Sequence, residues 1–378
     1  MSSQPIRIGL IGLGRQTGHN VPGLWAMMAH LPFLLSSPKY QITAVANSTT
    51  ASAQAAIDHH NLGPNVKAYG NPTDLAQDPN VDMVVVSVKV GAHYALSKPA
   101  LLAGKSLFVE WPLGASLSEA QELATLAATH GSKTVVGVQA RASPLVLKIK
   151  ELVTSGKIGK VLSSTVISSF GGLPAAQWPQ GAEYYLDMNS GGNQFTIFFG
   201  HFLDTFTHVL GDFASLTSSM RCDYPSIDIV DSAGTVVQKG YQKTSPDHVQ
   251  VSGKLVSGAN ASIVFYTAPG EAVDGVGVRW VITGTEGQME IITQERQWQM
   301  GAPGTKLRAR LGRGAGIVEV NFEDVEEEKE VREAAFPGTN TARLYDAFAE
   351  EKRDVYADFE SAVKTHALLE WIKREAGW

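Results

Sequence analysis

The stretch "IRIGLIGLGRQTG" (residues 6–18) decides the fold. It opens as a short, mostly apolar run of the kind buried on both faces of a sheet, and it carries glycines at positions 9, 12, 14 and 18. Glycines at the end of a strand let the backbone turn tightly and approach a pyrophosphate, whose charge the N-terminus of the following helix stabilises. Such turns are common; here the motif gains weight because it ends the first strand of a βαβ pattern. The spacing is unusual. A helix ordinarily begins at the third glycine, whereas "HNVPGLWAM" (19–27) inserts Pro22 and Gly23 before the helical run "AMMAHLPFLLSS" (26–37). The phosphate loop is therefore expected to be enlarged, which puts a third-glycine role for Gly18 in question.

Outward from this motif, "QITAVAN" (41–47), "VDMVVVSV" (81–88), "SLFVEW" (106–111) and "KTVVGVQ" (133–139) read as further doubly buried strands. Helical stretches separate them, among them "SLSEAQELATLAATHG" (116–131), where Ser116 and Glu119 form a capping box and Gly131 a stop. Strand and helix in alternation predict an α/β Rossmann domain, a doubly wound parallel sheet, over residues 1–140. After a linking helix (143–161) the pattern changes to alternating segments such as "HVQVSGKLVSG" (248–258), "NASIVFYTA" (260–268) and "VRWVITGTEGQMEIIT" (278–293). Residues 141–378 are thus expected to form an α+β substrate and oligomerisation domain with a large, mostly antiparallel open sheet, the C-terminal helical stretch (341–377) packing back. The acidic run "EDVEEEKEVRE" (323–333) reads as a solvated strand or loop face, and "RARLGRGAG" (308–316) as a loop.

With 378 residues, 44% hydrophobic and 18% charged, the chain has enough apolar material for two cores. A net charge of −6 gives no reason to hold a phosphate backbone, so direct nucleic-acid binding is not expected. The single cysteine, Cys222, cannot form an internal disulfide and fits a reducing compartment. No apolar run reaches the ~18 residues of a membrane helix. A cytoplasmic or nuclear protein is expected.

The second strand ends in "AVANSTT" (44–50), with Asn47, Ser48 and Thr49 where a carboxylate would grip the adenosine ribose. With no acid there, nothing repels a 2′-phosphate, and Arg15 is the nearest cation. The cofactor is expected to be NADP or NAD; Asn47 could equally cap the next helix.

"LFVEWPLG" (107–114), "VQARASPLVLKIKELVTSGKIGKV" (138–161), "FFGHFLDTF" (198–206) and "FESAVKTHALLEWI" (359–372) together resemble the glucose-fructose oxidoreductase / inositol dehydrogenase / MocA family over nearly the whole chain. Within it, "VEWPLG", "ARASP", "FGHFLD" and "SPDHVQVSGKL" look most like the branch of the fungal galactose/lactose metabolism regulatory protein, which binds NAD(P) and acts as a transcriptional co-repressor without known catalysis. The resemblance implies a lysine where this chain has Trp111, between Glu110 and Pro112, and an aspartate where it has Ile197, four residues before the matching His201. The family's lysine holds the substrate oxygen and supports proton transfer; an indole N–H only donates.

Alternatives stay open at each position. His201 reads as a general base or as a satisfied cleft histidine, and Lys89 as a replacement cation or a solvated loop residue. His93 is a cofactor neighbour or a helix-start residue. Tyr184, Tyr185 and Asp187 supply an acid or sugar-binding edge, or packing and a polar loop. Trp111 stacks on a ligand ring or fills the lysine's volume. His201, Asp204 and His208 share a helical spacing, but the resemblance implies no metal. The expected cofactor set is Gly12, Gly14, Arg15, Gln16, Asn47, Ser48, Thr49, His93, Glu110, Trp111, Pro112 and Gln139; the expected chemical set is His201, Lys89, Tyr184, Tyr185 and Trp111. Three functions remain: an enzyme with an altered site acting on a small sugar-like or polycyclic molecule in the interdomain cleft, an NADP-sensing co-repressor that binds a transcription-factor peptide, and an ordinary sugar dehydrogenase. A homodimer through the open sheet face is what the resemblance implies.

Overall fold

The structure is a computed structural model that describes residues 4–16, 22–169, 175–268, 270, 272–294, 297–323 and 326–378; Gly18 lies outside them. It divides into two compact units. The first comprises Met1–Gln139, Ser190–Gly192 and Glu327–His366; the second comprises Ala140–Asn189, Asn193–Glu326 and Ala367–Trp378.

In the first unit, β1 (Ile6–Ile11), β2 (Tyr40–Ala46), β3 (Lys67–Tyr69), β4 (Met83–Val86), β5 (Ser106–Glu110) and β6 (Thr134–Gly137) form one sheet in the order β3-β2-β1-β4-β5-β6. Every pairing is parallel. All four residues of β4 and of β6 are buried, as a parallel sheet covered on both faces requires. The strand order reverses between β1 and β4, and in such sheets the ligand crevice lies at the carboxyl ends beside that reversal.

Helices α1 (Leu31–Ser36), α2 (Thr50–His59), α3 (Pro72–Gln77), α4 (His93–Leu102) and α5 (Leu117–His130) make the crossovers. Ser116 caps α5 by accepting from the Glu119 amide, and Gly131 ends it in the left-handed region. The Glu119 carboxylate accepts from the Ala115 amide at 2.8 Å, one residue earlier than a capping box would place it. The second unit contributes α6 (Pro144–Thr154) and α7 (Gly200–Leu210), and α8 (Lys329–Arg332) and α9 (Thr339–Ala349) belong to the first. The last helix, α10 (Phe359–Glu375), begins in the first unit and ends in the second. The acidic run is more than a solvated face: part of it is α8, Glu327 pairs with Arg343 at 2.6 Å and Glu328 with Lys39 at 2.9 Å.

The second unit holds β7 (Val161–Ser169), β8 (Gln177–Pro179), β9 (Phe213–Arg221), β10 (Ser226–Val230), β11 (Val236–Gln242), β12 (His248–Leu255), β13 (Asn260–Tyr266), β14 (Val278–Gly284), β15 (Gln288–Thr293), β16 (Lys306–Arg310) and β17 (Val318–Glu319). Eight strands run β17-β16-β15-β14-β7-β13-β12-β9, antiparallel except for the β7–β13 pair. β8, β10 and β11 form a small second sheet over Trp178, Leu186, Ile227 and Ile229. Burial alternates along β13 and β14, so one face of the large sheet carries the core. There Phe202 meets Trp280 edge-on at 5.4 Å, and Trp280 meets Trp298 at 5.8 Å. The opposite face leaves Ile167 of β7 48% exposed. Strand β16 takes in the start of the expected 308–316 loop, where Arg313 pairs with Glu286 at 2.9 Å.

Candidate functional site

The chain leaves β1 through Gly12, whose φ of +97° favours glycine. A Cβ there would stand 2.5 Å from the Ser87 carbonyl oxygen, so the loop lies directly on the end of β4. Gly23 has φ +76°, and a Cβ on it would fall 2.2 Å from the Gly14 nitrogen and 2.5 Å from the Gly12 carbonyl oxygen. Gly23 is therefore the close-packing glycine that lets the following helix sit against the turn, the third-glycine place that the sequence spacing had left in question for Gly18. The Pro-Gly pair ahead of the helical run was the signal for it. Beyond Gly23 the helix has a π segment, Ala26–His30, a form that often marks functional positions.

Arg15 and Gln16 are exposed on the loop, and Ser48 and Thr49 are exposed at the carboxyl end of β2. Asn47 does not cap α2. Its amide nitrogen donates to the Leu13 carbonyl at 3.0 Å and the Ser52 carbonyl at 3.3 Å, tying the glycine loop to the second strand. The cap is Thr49, which forms a reciprocal box with Ser52. The His60 ring meets the Gly14 carbonyl oxygen at 2.8 Å, adding a second tie.

At the ends of β4 and β5, His93 is buried with Nδ1 2.8 Å from the Pro112 carbonyl oxygen and Nε2 3.0 Å from that of Val88. A carbonyl oxygen from each strand end thus stands beside one ring nitrogen, and the nitrogen that carries the proton donates to its carbonyl and fastens His93 at this edge. Burial pushes its pKa below the ordinary histidine value, against the pull of the two carbonyls and Glu110. Lys89, just before, is exposed.

Glu110 turns into the unit. Its carboxylate meets His30 Nε2 at 2.9 Å and accepts from the Gln139 amide at 3.0 and 3.3 Å, while His30 Nδ1 meets the Tyr345 hydroxyl at 2.8 Å. All four side chains are buried. A Cβ on Gly137 would lie 2.4 Å from Glu110 Oε2, so only glycine on β6 leaves room for the carboxylate. Gln139 Oε1 is buried with no hydrogen-bond partner among the described residues. Trp111 is 4% exposed and is joined to Pro112 by a cis peptide. Its ring lies 4.8 Å from that of His366 on α10. Burial, with His93 adding repulsion, lowers the His366 pKa to about 4. His30, Tyr345 and His366 were not singled out from sequence.

In the second unit, His201 is buried on α7, directly after a second π segment, Phe195–Phe199, that contains Ile197. Asp204, one turn on, takes two hydrogen bonds from Arg141 at 2.7 and 2.8 Å. Lys150 Nζ stands 3.1 Å from His208. Asp204 and His208 of this row thus each stand against a basic side chain. The Tyr184 and Tyr185 rings are 4.5 Å apart, and burial raises both phenol pKa values, so they stand protonated near neutral pH. Tyr185 also stacks on Phe198 at 5.9 Å. Asp187 accepts from the Asn189 amide at 2.9 Å.

A cavity of about 710 Å³ lies elsewhere, lined by Ile6, Gln41, Ser106 and Lys133 at the amino ends of the strands. That is the wrong end of a doubly wound sheet for its ligand. The glycine cradle at Gly12, Gly14 and Gly23 and the orphaned Gln139 oxygen fit a dinucleotide at the carboxyl end instead.

Comparison with known proteins agrees. Residues 6–138 match the oxidoreductase family with an NAD-binding Rossmann fold, and residues 144–293 match the C-terminal domain of Gal80p. The chain is similar to the dehydrogenase aclE of Aspergillus oryzae, 33% identical over 293 residues that span 76% of this chain and 77% of that one. It is also similar to the galactose/lactose metabolism regulatory protein GAL80 of Saccharomyces cerevisiae, 30% identical over 266 residues; these span 68% of this chain and 59% of that protein's length. The crystal structure of a super-repressor mutant of Saccharomyces cerevisiae Gal80p shares the fold with a TM-score of 0.87 at 24% identity, over 99% of this chain and 96% of that one.

Proposed function

The chain belongs to the oxidoreductase family of glucose-fructose oxidoreductase, inositol dehydrogenase and MocA, whose Rossmann domain binds NAD, and we propose that it is an enzyme with non-standard chemistry. On this reading NADP or NAD sits at Gly12, Gly14 and Gly23, and the substrate is a small, sugar-like or polycyclic molecule. The observation that carries it is Trp111 at the end of β5. An indole packed on a neutral imidazole supplies no cation to a substrate oxygen, so alcohol oxidation assisted by a lysine at this strand end is excluded from the proposal. A bound nicotinamide would give or accept a hydride. The protein's own part is then to hold the ring against an apolar wall and exclude water there. The candidate proton-transfer groups of the second unit are His201 and the protonated Tyr184 and Tyr185, and the candidate cation of the first unit is Lys89. NADP is favoured by the absence of an acid at positions 47–50 and by exposed Arg15 and Ser48. The exposed Ile167 supports a homodimer through the open sheet face, and the protein works in the cytoplasm or nucleus.

The test mixes purified protein with NADP+ or NADPH and a metabolite extract, and follows nicotinamide absorbance and product masses. Turnover lost in His201→Ala supports the assignment of proton transfer to His201. A second reading has its own support in the match of residues 144–293 to the Gal80p C-terminal domain: an NADP-sensing co-repressor that binds an activation-domain helix in an apolar groove. Tight binding of such a peptide without turnover in either direction would replace the enzyme reading with this one.

A further inference from the structure

His366 is the residue at this strand end that the rest of the fold leaves unexplained. It is 6% exposed, its Nε2 has no hydrogen-bond partner among the described residues, and its ring is tilted against the Trp111 indole with centroids 4.8 Å apart. Helix α10 would gain from an apolar residue here, because a buried polar atom without a partner costs stability while an apolar group of the same shape does not. Trp111 follows directly on β5, whose carboxyl end is where a doubly wound sheet receives its ligand. His93, close enough to repel a charge on His366, fastens that same edge.

We propose that His366 is a ligand-contact residue, its Nε2 reserved for an uncharged polar group, a carboxamide or hydroxyl, of a molecule whose ring or carbon face lies on Trp111. The indole would then give apolar area and the imidazole one hydrogen bond. Because burial keeps the imidazole neutral near pH 7, the site offers no attraction to a carboxylate or phosphate at this point. The inference rests on the reading that a nicotinamide cofactor occupies the carboxyl edge of the sheet. The polar group comes either from that cofactor's carboxamide or from a neutral co-substrate, and the shared chemistry is the same.

The experiment compares wild-type protein with His366→Phe, which keeps a ring beside Trp111 and removes the nitrogen. Two quantities are read for each: the melting temperature without ligand, and the calorimetric affinity for NADP+ alone and for glucose in the presence of NADP+. The expected result is a variant that melts a few degrees higher yet binds one of the two probes about tenfold more weakly, the loss of one hydrogen bond to a neutral group. Weakening with NADP+ alone assigns the contact to the carboxamide, and weakening only with glucose assigns it to a co-substrate hydroxyl. A variant that melts higher and binds both probes as the wild type does would show that the nitrogen serves no ligand and overturn the proposal. Wild-type protein that binds no NADP+ would instead overturn the cofactor reading beneath it. If His366→Phe does not fold, His366→Asn restores a polar group, and its affinity for both probes is expected to stay within a fewfold of wild type; a tenfold loss there would count against the proposal.

Discussion

Replacing His30 by alanine tests the buried network that aims the end of β5. His30 bridges Glu110 at 2.9 Å and Tyr345 at 2.8 Å, and it touches Phe108 edge-on with ring centroids 5.1 Å apart. Removing one partner of a buried ionic hydrogen bond costs about 3–5 kcal/mol, because the remaining charge keeps its desolvation penalty. Gln139 still donates to both Glu110 oxygens, which places the cost at the low end, about 3 kcal/mol. The stranded Tyr345 hydroxyl adds roughly 1 kcal/mol. The total, about 4 kcal/mol, is a large share of the ~5–15 kcal/mol that holds a domain together.

The assay is hydrogen exchange of the β4, β5 and β6 amides, which reads the opening of this unit without assuming that both units unfold together. Protection factors in those strands are expected to fall by two to three orders of magnitude, since each tenfold is about 1.4 kcal/mol. Glu110→Gln removes the charge that His30 serves, so His30→Ala in that background should cost about 2 kcal/mol less than in wild type. A loss below about 1 kcal/mol, or strict additivity of the two changes, would refute the claim that His30 acts through Glu110.

Three other outcomes follow from the same geometry. Gly23→Ala forces a side chain into positive φ and onto the Gly14 nitrogen; dinucleotide affinity measured by calorimetry should drop at least about tenfold, and unchanged affinity would remove Gly23 from the cradle. Arg141→Ala leaves Asp204 buried without its paired guanidinium and should cost about 3–5 kcal/mol in thermal or urea unfolding of the second unit, with Arg141→Lys recovering only part because one ammonium cannot donate to both oxygens in the same fork. The lowered pKa of His366 means that the unfolded chain takes up its proton first as pH falls. Its effect on stability is thus absent above about pH 6.5 and grows as pH drops toward about 4, where it reaches roughly 3 kcal/mol. His366→Phe should flatten that part of the pH–stability curve relative to wild type, and parallel curves would contradict the assignment.

The parallel sheet was legible because its strands are continuous apolar runs. "MVVV" and "TVVG" are buried at every position, and no other element suits such a segment. The second unit's alternation gave its antiparallel sheet for the same kind of reason, whereas β3, β8 and β17 are too short to carry a period at all. What sequence missed at the candidate site lies in contacts between distant segments. Trp111 stood out as a departure from a motif, but its neighbour His366 is supplied by the last helix, and the partner of His30 by α9. Neither pairing leaves a periodic trace. A different kind of trace was nevertheless present. His30 is the one ionisable residue in "AMMAHLPFLL", and His366 is followed directly by Ala367, Leu368 and Leu369 in "KTHALLEWI". A polar side chain set in an apolar helix face is buried with it, and a buried polar group requires a partner. For His30 the fold provides that partner twice over, through Glu110 and Tyr345. For the His366 Nε2 the described residues provide none. The same sequence signal therefore separates a structural histidine from a candidate ligand contact only once the partners can be counted.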